Sequence, residues 1–362
     1  EEGLRCVYHG WKCDVAGTCT DMPNEPAESN FKHKIHATAY PAVERKGIIW
    51  VYMGGRETPP ALPDLEPNML PEGRYIIQAY QRECNWMQAL EGDIDTCHVG
   101  FLHLGSVTQD DAPEGTWAKY ALGDRAPHYE VADTDFGTTY GTYRPAEDDS
   151  YYWRFASFLF PFYAMTPTGV LGLEIRVRAW VPIDDDHTLA ISINQVTPMR
   201  AARVAGPIMA GRQQIKPIQT LPNGTGWYDR FRCVANAAND YLIDRESQSK
   251  NISYTGIDAI FLQDQSVTES MGAIYDRTNE RLGTSDMMII RTRKRLIDAA
   301  KAFRDKGVLP KAVDDPTVYG TRTGATVLPR SAHWMEATAH LRQAFVDHPE
   351  LSRNILGGIP AI

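Results

Sequence analysis

Apolar and polar positions alternate most regularly in the middle of the chain. Leu173, Ile175, Val177 and Ala179 interleave with Glu174, Arg176, Arg178 and Trp180, a period of two that predicts a half-buried strand. Leu189, Ile191 and Ile193 repeat the pattern after the Asp184-Asp185-Asp186 turn, and Arg176 and Arg178 are expected on a solvated sheet face. Residues 151–165 form another strand candidate, unusually aromatic, and residues 47–52 a near-continuous apolar one closed by Gly54-Gly55. Helical spacing enters at 85–103, where Trp86, Ala89, Leu90 and Ile94 recur three and four apart. It returns near the C-terminus, where Ser285 can cap a run in which Ile289, Leu296, Ala300 and Phe303 share a face and which Gly307 ends. The basic cluster Arg291, Arg293, Lys294 and Arg295 on that run reads as a solvated face. Pro59, Pro60, Pro63, Pro67 and Pro71 suit no regular element. The expected organisation is a small β unit over 1–55, a proline-rich connection over 56–80, and a larger α+β unit over 81–362.

Composition narrows the class. The 362 residues are 43% apolar, enough for a sizeable core, and 46 acidic against 37 basic side chains give a formal charge of −9. An acidic surface argues against a general nucleic-acid binder. No stretch approaches the roughly 18 consecutive apolar residues of a membrane helix. Six cysteines are too sparse for a disulfide scaffold, so reduced thiols in a cytoplasmic protein are expected. The chain opens Glu1-Glu2-Gly3-Leu4 and passes at once into a dense motif, as a fragment does.

Two constellations could carry chemistry. In Cys6-Val7-Tyr8-His9-Gly10-Trp11 a thiolate and an imidazole stand on one tight loop, where both can reach one metal atom; the competing reading is a small buried thiol beside a surface histidine. In the second, Asp95 and His98 stand three apart, neighbours on one helix face. His98 and His103 stand five apart, which an ideal helix turns about 140° from each other. They converge only if the helix ends or distorts between them, as Gly100 permits. Two imidazoles and a carboxylate from elsewhere would make the facial triad of a non-haem Fe(II) site; otherwise these are polar residues on a solvated helix.

Taken together, these segments resemble the α subunits of Rieske non-haem iron aromatic-ring oxygenases, more narrowly the group around phthalate 4,5-dioxygenase. The resemblance spans essentially the whole chain. Cys6-Val7-Tyr8-His9-Gly10-Trp11-Lys12 is similar to the second half of a Rieske motif, and residues 95–103 to the family's Asp-x-x-His-x4-His iron motif. Phe261-Leu262-Gln263-Asp264-Gln265, Asp276-Arg277-Thr278 and Leu282-Gly283-Thr284-Ser285-Asp286 resemble the group's C-terminal signature.

The resemblance implies a β-rich, partial Rieske [2Fe–2S] domain followed by a helix-grip-like catalytic domain with an antiparallel sheet and flanking helices. It implies that His98, His103 and Asp264 hold a mononuclear Fe(II), with Asp258 the nearest competitor for the third place. Asp95 would join His9 of a neighbouring subunit to His98, and Cys6 and His9 would be cluster ligands. Electrons would come from NAD(P)H through a flavin and iron–sulfur reductase, and the subunits would form a homotrimer or stacked trimers. A cluster needs a further Cys-x-His. Cys13, Cys19, Cys84, Cys97 and Cys233 have no histidine two positions on, so the resemblance places that half ahead of Glu1.

The activity implied is hydroxylation of an aromatic substrate with O2, the substrate carrying a carboxylate in the favoured reading. O-demethylation of methoxylated aryl acids is the alternative within the family. Arg154 is the candidate to hold a carboxylate, and Phe162, among Phe155, Phe158, Phe160, Tyr163 and Met165, to wall the ring; the rival for these aromatics is sheet core. Two further classes compete: a zinc hydrolase built on His98, His103 and Asp264, which leaves Cys6 and His9 unused, and a cluster-deficient structural or regulatory subunit.

Overall fold

The computed structural model describes residues 3–110, 112, 117–196 and 217–352. Two compact units divide the chain, Glu1–Pro60 and Ala61–Ile362. In the first, β1 (Leu4–Arg5), β2 (Lys12–Cys13) and β3 (Cys19–Asp21) form a small antiparallel sheet, and β4 (Ala42–Arg45) pairs with β5 (Ile48–Val51) as a hairpin. The loop between β1 and β2 closes on itself: the Cys6 N–H donates to Trp11 O at 2.8 Å and the Gly10 N–H to Cys6 O at 3.0 Å. Gly10 has φ 78°, and a Cβ there would stand 2.7 Å from Pro23 Cγ, so the position is closed to any side chain.

The second unit begins earlier than the proline pattern suggests. β6 (Tyr75–Arg82) lies within the expected connection, yet it pairs antiparallel along its whole length with β12 (Thr188–Gln195). The prolines stop at Pro71 and leave residues 75–82 their ladder donors. The segment before it is packed against the second unit's own residues. Leu65, Glu66 and Asn68 are buried, and the Glu66 carboxylate takes both Arg322 Nε (2.8 Å) and Nη2 (2.6 Å). Breaking one side of such a buried pair costs about 3–5 kcal/mol.

The main sheet adds β7 (His128–Asp133), β8 (Gly137–Pro145), β9 (Ser150–Leu159), β10 (Tyr163–Met165), β11 (Arg176–Pro182) and β13 (Gly324–Pro329). Its eight strands run in the order β6-β12-β11-β10-β9-β8-β7, with β13 also pairing with β9. The aromatic run 151–165 is two strands rather than one, turning at residues 160–162.

Helices cover both faces: α1 (Trp86–Asp93), α2 (Trp117–Gly123), α3 (Arg245–Ser249), α4 (Ile260–Ser270), α5 (Met287–Lys306), α6 (Trp334–Ala337) and α7 (Ala339–Arg342). On one face, α1, α4 and α5 bury Leu90, Phe261 and Met288 against Tyr140, Phe158, Ala164 and Trp180. On the other, Trp334 and Leu341 pack on Trp153 and Phe155. This α+β architecture is the one expected.

Charged groups lock the helix layer where solvated faces are expected. Arg293 of α5 donates to Glu91 of α1 through Nε (2.6 Å) and Nη2 (2.8 Å) and also to Glu280, while Arg291, which pairs with Asp133 of β7, and Lys294 are exposed as expected. Arg178 points into the helix layer, Nη1 on Asp93 Oδ1 at 2.6 Å, and Trp180 Nε1 donates to Asp93 Oδ2 at 2.8 Å. The period of two is real, but both faces of the sheet are covered, so alternation does not report solvent here. α5 starts at Met287, two residues beyond Ser285, and ends at Gly307 in the left-handed conformation, as expected.

Candidate metal centre

The helix α1 is started by Asn85, whose side chain accepts from the Met87 N–H at 3.0 Å, and is tied to α4 by Gln88, which donates to Thr268 O and Gly272 O. It stops at Asp93. Asp95 then acts as a local cap: Oδ1 accepts the Cys97 N–H at 2.7 Å and Oδ2 the His98 N–H at 3.1 Å. Side chains that compete for backbone donors in this way break a helix and start a new turn. The new turn, Val99–His103, is π-helical. So the expected single helix over 85–103 is α1, a break and a wider turn, and that distortion is what lets residues five apart face each other.

His98 Nε2 and His103 Nε2 are 3.2 Å apart. Asp264, on the second turn of α4, places Oδ1 3.3 Å from His103 Nε2 and 3.7 Å from His98 Nε2. Three donors about 2.1 Å from one metal, at right angles to one another, stand about 3 Å apart. The donor set fits a mononuclear ion with open positions, and it is the group of this composition found among the described residues. Asp258, the competitor, is not part of it.

Both imidazoles are held from behind. His98 Nδ1 donates to Asp95 Oδ2 at 3.0 Å, and His103 Nδ1 donates to Gln263 Oε1 at 2.7 Å. Gln263 Nε2 is committed to Ile257 O at 2.8 Å, which fixes the amide with its oxygen toward the ring. Each histidine therefore presents an unprotonated Nε2 to the same point in space. Burial alone would raise the Asp264 carboxyl, but the His103 hydrogen bond and the two imidazoles outweigh it and hold it below the usual carboxylate range. Burial would lower the His98 ring, but Asp95 and Asp264 outweigh it and hold it above its ordinary value. The niche thus favours positive charge, whether proton or metal.

Gln263 is the site residue that sequence reasoning passed over, although it adjoins Asp264 in the quoted segment. Its signal was a polar residue beside a ligand on a helix turned toward the core. Gln263→Leu is expected to weaken Fe(II) binding about 10- to 100-fold, the range for such supporting groups. Equilibrium dialysis of the metal against wild type checks this, and unchanged affinity would remove the supporting role.

The other expected residues fall as follows. Arg154 is 6% exposed, with Nη1 on Thr96 Oγ1 at 2.5 Å and Nε and Nη2 on Pro167 O, which anchors the loop carrying Asp95 and His98 to the sheet. Phe162 lies on the turn between β9 and β10, its ring 4.9 Å from Tyr163. Phe155 and Phe158 are core, on opposite faces of the sheet. Cys6 and His9 are both exposed on the β1–β2 loop. All six thiols are free. Among the described residues no helix is long and apolar enough to cross a membrane.

A large antiparallel sheet gripped by helices brings two imidazoles and one carboxylate together in an arrangement suited to a mononuclear metal ion. A family model described as LigXa C-terminal domain like matches residues 51–353. The chain is 42% identical over 342 residues to the 3-chlorobenzoate-3,4-dioxygenase oxygenase subunit of Comamonas testosteroni, covering 93% of this chain and 79% of that one. It is 33% identical over 313 residues to the phthalate 4,5-dioxygenase oxygenase subunit of Pseudomonas putida, covering 83% and 68%. The fold is shared with dicamba monooxygenase bound to 3,6-dichlorosalicylic acid, at TM-score 0.51, 14% identity and 84% and 81% coverage. The chain belongs to the α subunits of the Rieske oxygenases. It is an oxidoreductase that uses O2, an oxygenase component of an aromatic-hydroxylating system. Such components work with a reductase, and the family carries a Rieske cluster and a mononuclear iron.

Proposed function

We propose that the chain hydroxylates an aromatic carboxylate, with His98, His103 and Asp264 as the ligands of its mononuclear iron. The observation that carries the reading is the convergence of these three donors at 3.2–3.7 Å. The names of the two relatives, a chlorobenzoate and a phthalate dioxygenase, support an aromatic acid as substrate. Ferrous iron held by these residues supplies the O2 chemistry. The protein's part is to hold two imidazoles as neutral donors, to add one anionic oxygen, and to keep the remaining directions open.

Asp95 has a second role in this reading. Its side chain keeps 20% of its surface exposed while Oδ2 holds His98. That exposed edge is offered to His9 of a neighbouring copy, so that a hydrogen-bonded carboxylate joins the two imidazoles. The exposed Cys6 and His9 on their tight loop suit such a contact, and Cys6 and His9 are the two cluster ligands this chain contributes. The arrangement requires an oligomer, and a ring of three subunits is the proposed form.

The test is product analysis with O2, a surrogate reductase, NADH and a panel of aryl carboxylates and aryl methyl ethers. Hydroxylated aromatic acids are expected. Formaldehyde with demethylated acids as the sole products would move the assignment to an O-demethylase, and metal-dependent hydrolysis without O2 uptake would end it.

A further inference from the structure

Four of the six free thiols are accounted for by their surroundings. Cys6 is exposed on the β1–β2 loop, Cys84 and Cys233 are buried in the core, and the Cys97 sulfur lies 3.4 Å from Tyr129 Oη. The other two, Cys13 and Cys19, stand directly opposite each other on β2 and β3. Directly opposed residues of an antiparallel pair share a face of the sheet.

The ladder around them fixes which kind of pair this is. On the turn side, the Asp14 N–H donates to Thr18 O at 3.0 Å, whereas the Cys19 N–H donates away from β2, to Ile35 O at 3.3 Å. Cys13 and Cys19 are therefore a non-hydrogen-bonded pair, the kind whose Cα atoms stand about 4.5 Å apart with side chains closest. That separation lies inside the window a disulfide spans, about 4.4–6.8 Å between Cα atoms. The turn joining them is pinned. Asp14 Oδ1 accepts the Ala16 N–H (3.0 Å) and the Thr18 N–H (2.8 Å), and Gly17 has φ 91°, with Ala37 O where a Cβ would stand. Cys19 is buried and Cys13 half-buried, so a small molecule meets Cys13 first. Cys19 is also the hydrogen-bond partner of the Cys13 thiol; burial and then this neighbour hold that thiol above its ordinary range.

We propose that Cys13 and Cys19 are a thiol–disulfide exchange site, at which a small disulfide of the glutathione class is reduced while the two residues close into a cross-strand disulfide. The Cys13 thiolate attacks one sulfur of the small disulfide and expels the other as a thiolate. The Cys19 thiolate then attacks the Cys13 sulfur and expels the second small thiol. The pair gives up two electrons and two protons, and the small disulfide takes them up as two thiols. β2 directly follows the Cys6–Trp11 loop, so the closed form ties the base of that loop to β3. The inference is independent of the substrate reading.

The experiment uses the full-length protein with its metal centres loaded, equilibrated without O2 in glutathione buffers of rising disulfide content. Acid quenching, alkylation and tryptic mapping read the result, because residues 13–32 form one tryptic peptide. The oxidised peptide lacks two hydrogens and takes no alkyl group. Two thiols held opposite each other exceed the mM effective concentration of a flexible tether. In about 1 mM glutathione the internal disulfide is therefore expected to outnumber the Cys13 mixed disulfide about 10-fold or more. Cys19→Ser removes the resolving thiol and is expected to leave Cys13 as the glutathione adduct, and Cys13→Ser is expected to show neither product. Wild type alkylated at both thiols at every ratio overturns the proposal, as does a mixed disulfide at Cys13 that never gives way to the internal one.

Discussion

Asp264→Ala is expected to lose the mononuclear iron and, with it, all product formation, while the sheet and the six free thiols stay as they are. The Asp264 carboxylate is the one anionic donor in the group, and without it two neutral imidazoles are left to compete with water for Fe(II). The loss of affinity should exceed the roughly 100-fold limit seen for supporting groups, because the proposed ligand itself rather than its backing is removed. Metal analysis after anaerobic reconstitution measures it, and the Fe(II)–nitric oxide electron paramagnetic resonance signal gives an independent reading. Asp264→Glu tests geometry separately from charge. Its added methylene carries the carboxylate past its place 3.3 Å from His103, so intermediate occupancy is expected. Full occupancy in Asp264→Ala would instead direct attention to Asp258.

Asp95→Asn should keep the iron and lose the coupling. The amide still offers an oxygen to one of the backbone donors at Cys97 and His98, but its NH2 now faces a donor where Oδ2 accepted the His98 ring. His98 is thus left with a poorer partner, and the proposed joint to His9 loses its charge. Coupled turnover with the reductase is expected to fall about 100-fold, with mononuclear iron content near that of wild type. A single turnover started with chemically reduced protein should show whether the remaining defect lies in delivery of electrons or in the site. Normal coupled turnover in Asp95→Asn would remove the bridging role and leave Asp95 as a loop cap and ring anchor only.

The sequence was most informative where local chemistry and spacing coincide. The Cys6 to Trp11 loop, the stop at Gly307 and the strands on either side of Asp184 follow from turn residues and alternation, and they stand as expected. The meeting of the two histidines was also legible, as a condition: residues five apart around Gly100 converge only if the helix distorts, and it does. Asp264 was not legible from spacing: 161 residues separate it from His103, and only the family resemblance separated it from Asp258. Solvation was read wrongly at Arg178 and Arg293. Alternation says which residues share a face but not whether a helix will cover it, and the carboxylates that receive Arg178 and Arg293 lie 85 and 202 residues away. Burial of the proline-dense segment was not legible either, since the Arg322 that meets Glu66 comes from the far end of the chain.

Gln263 and Asp264 are consecutive residues on one helix, the first holding a ring from behind and the second facing the two Nε2 atoms. Their spatial relation to the histidine turn is therefore one variable, the screw position of α4. Adding or deleting a single residue between Ser253 and Ala259 would rotate that screw by about 100° and disengage both partners in the same stroke. Length changes in this segment should behave as an on–off switch for metal retention, whereas substitutions along it are absorbed gradually.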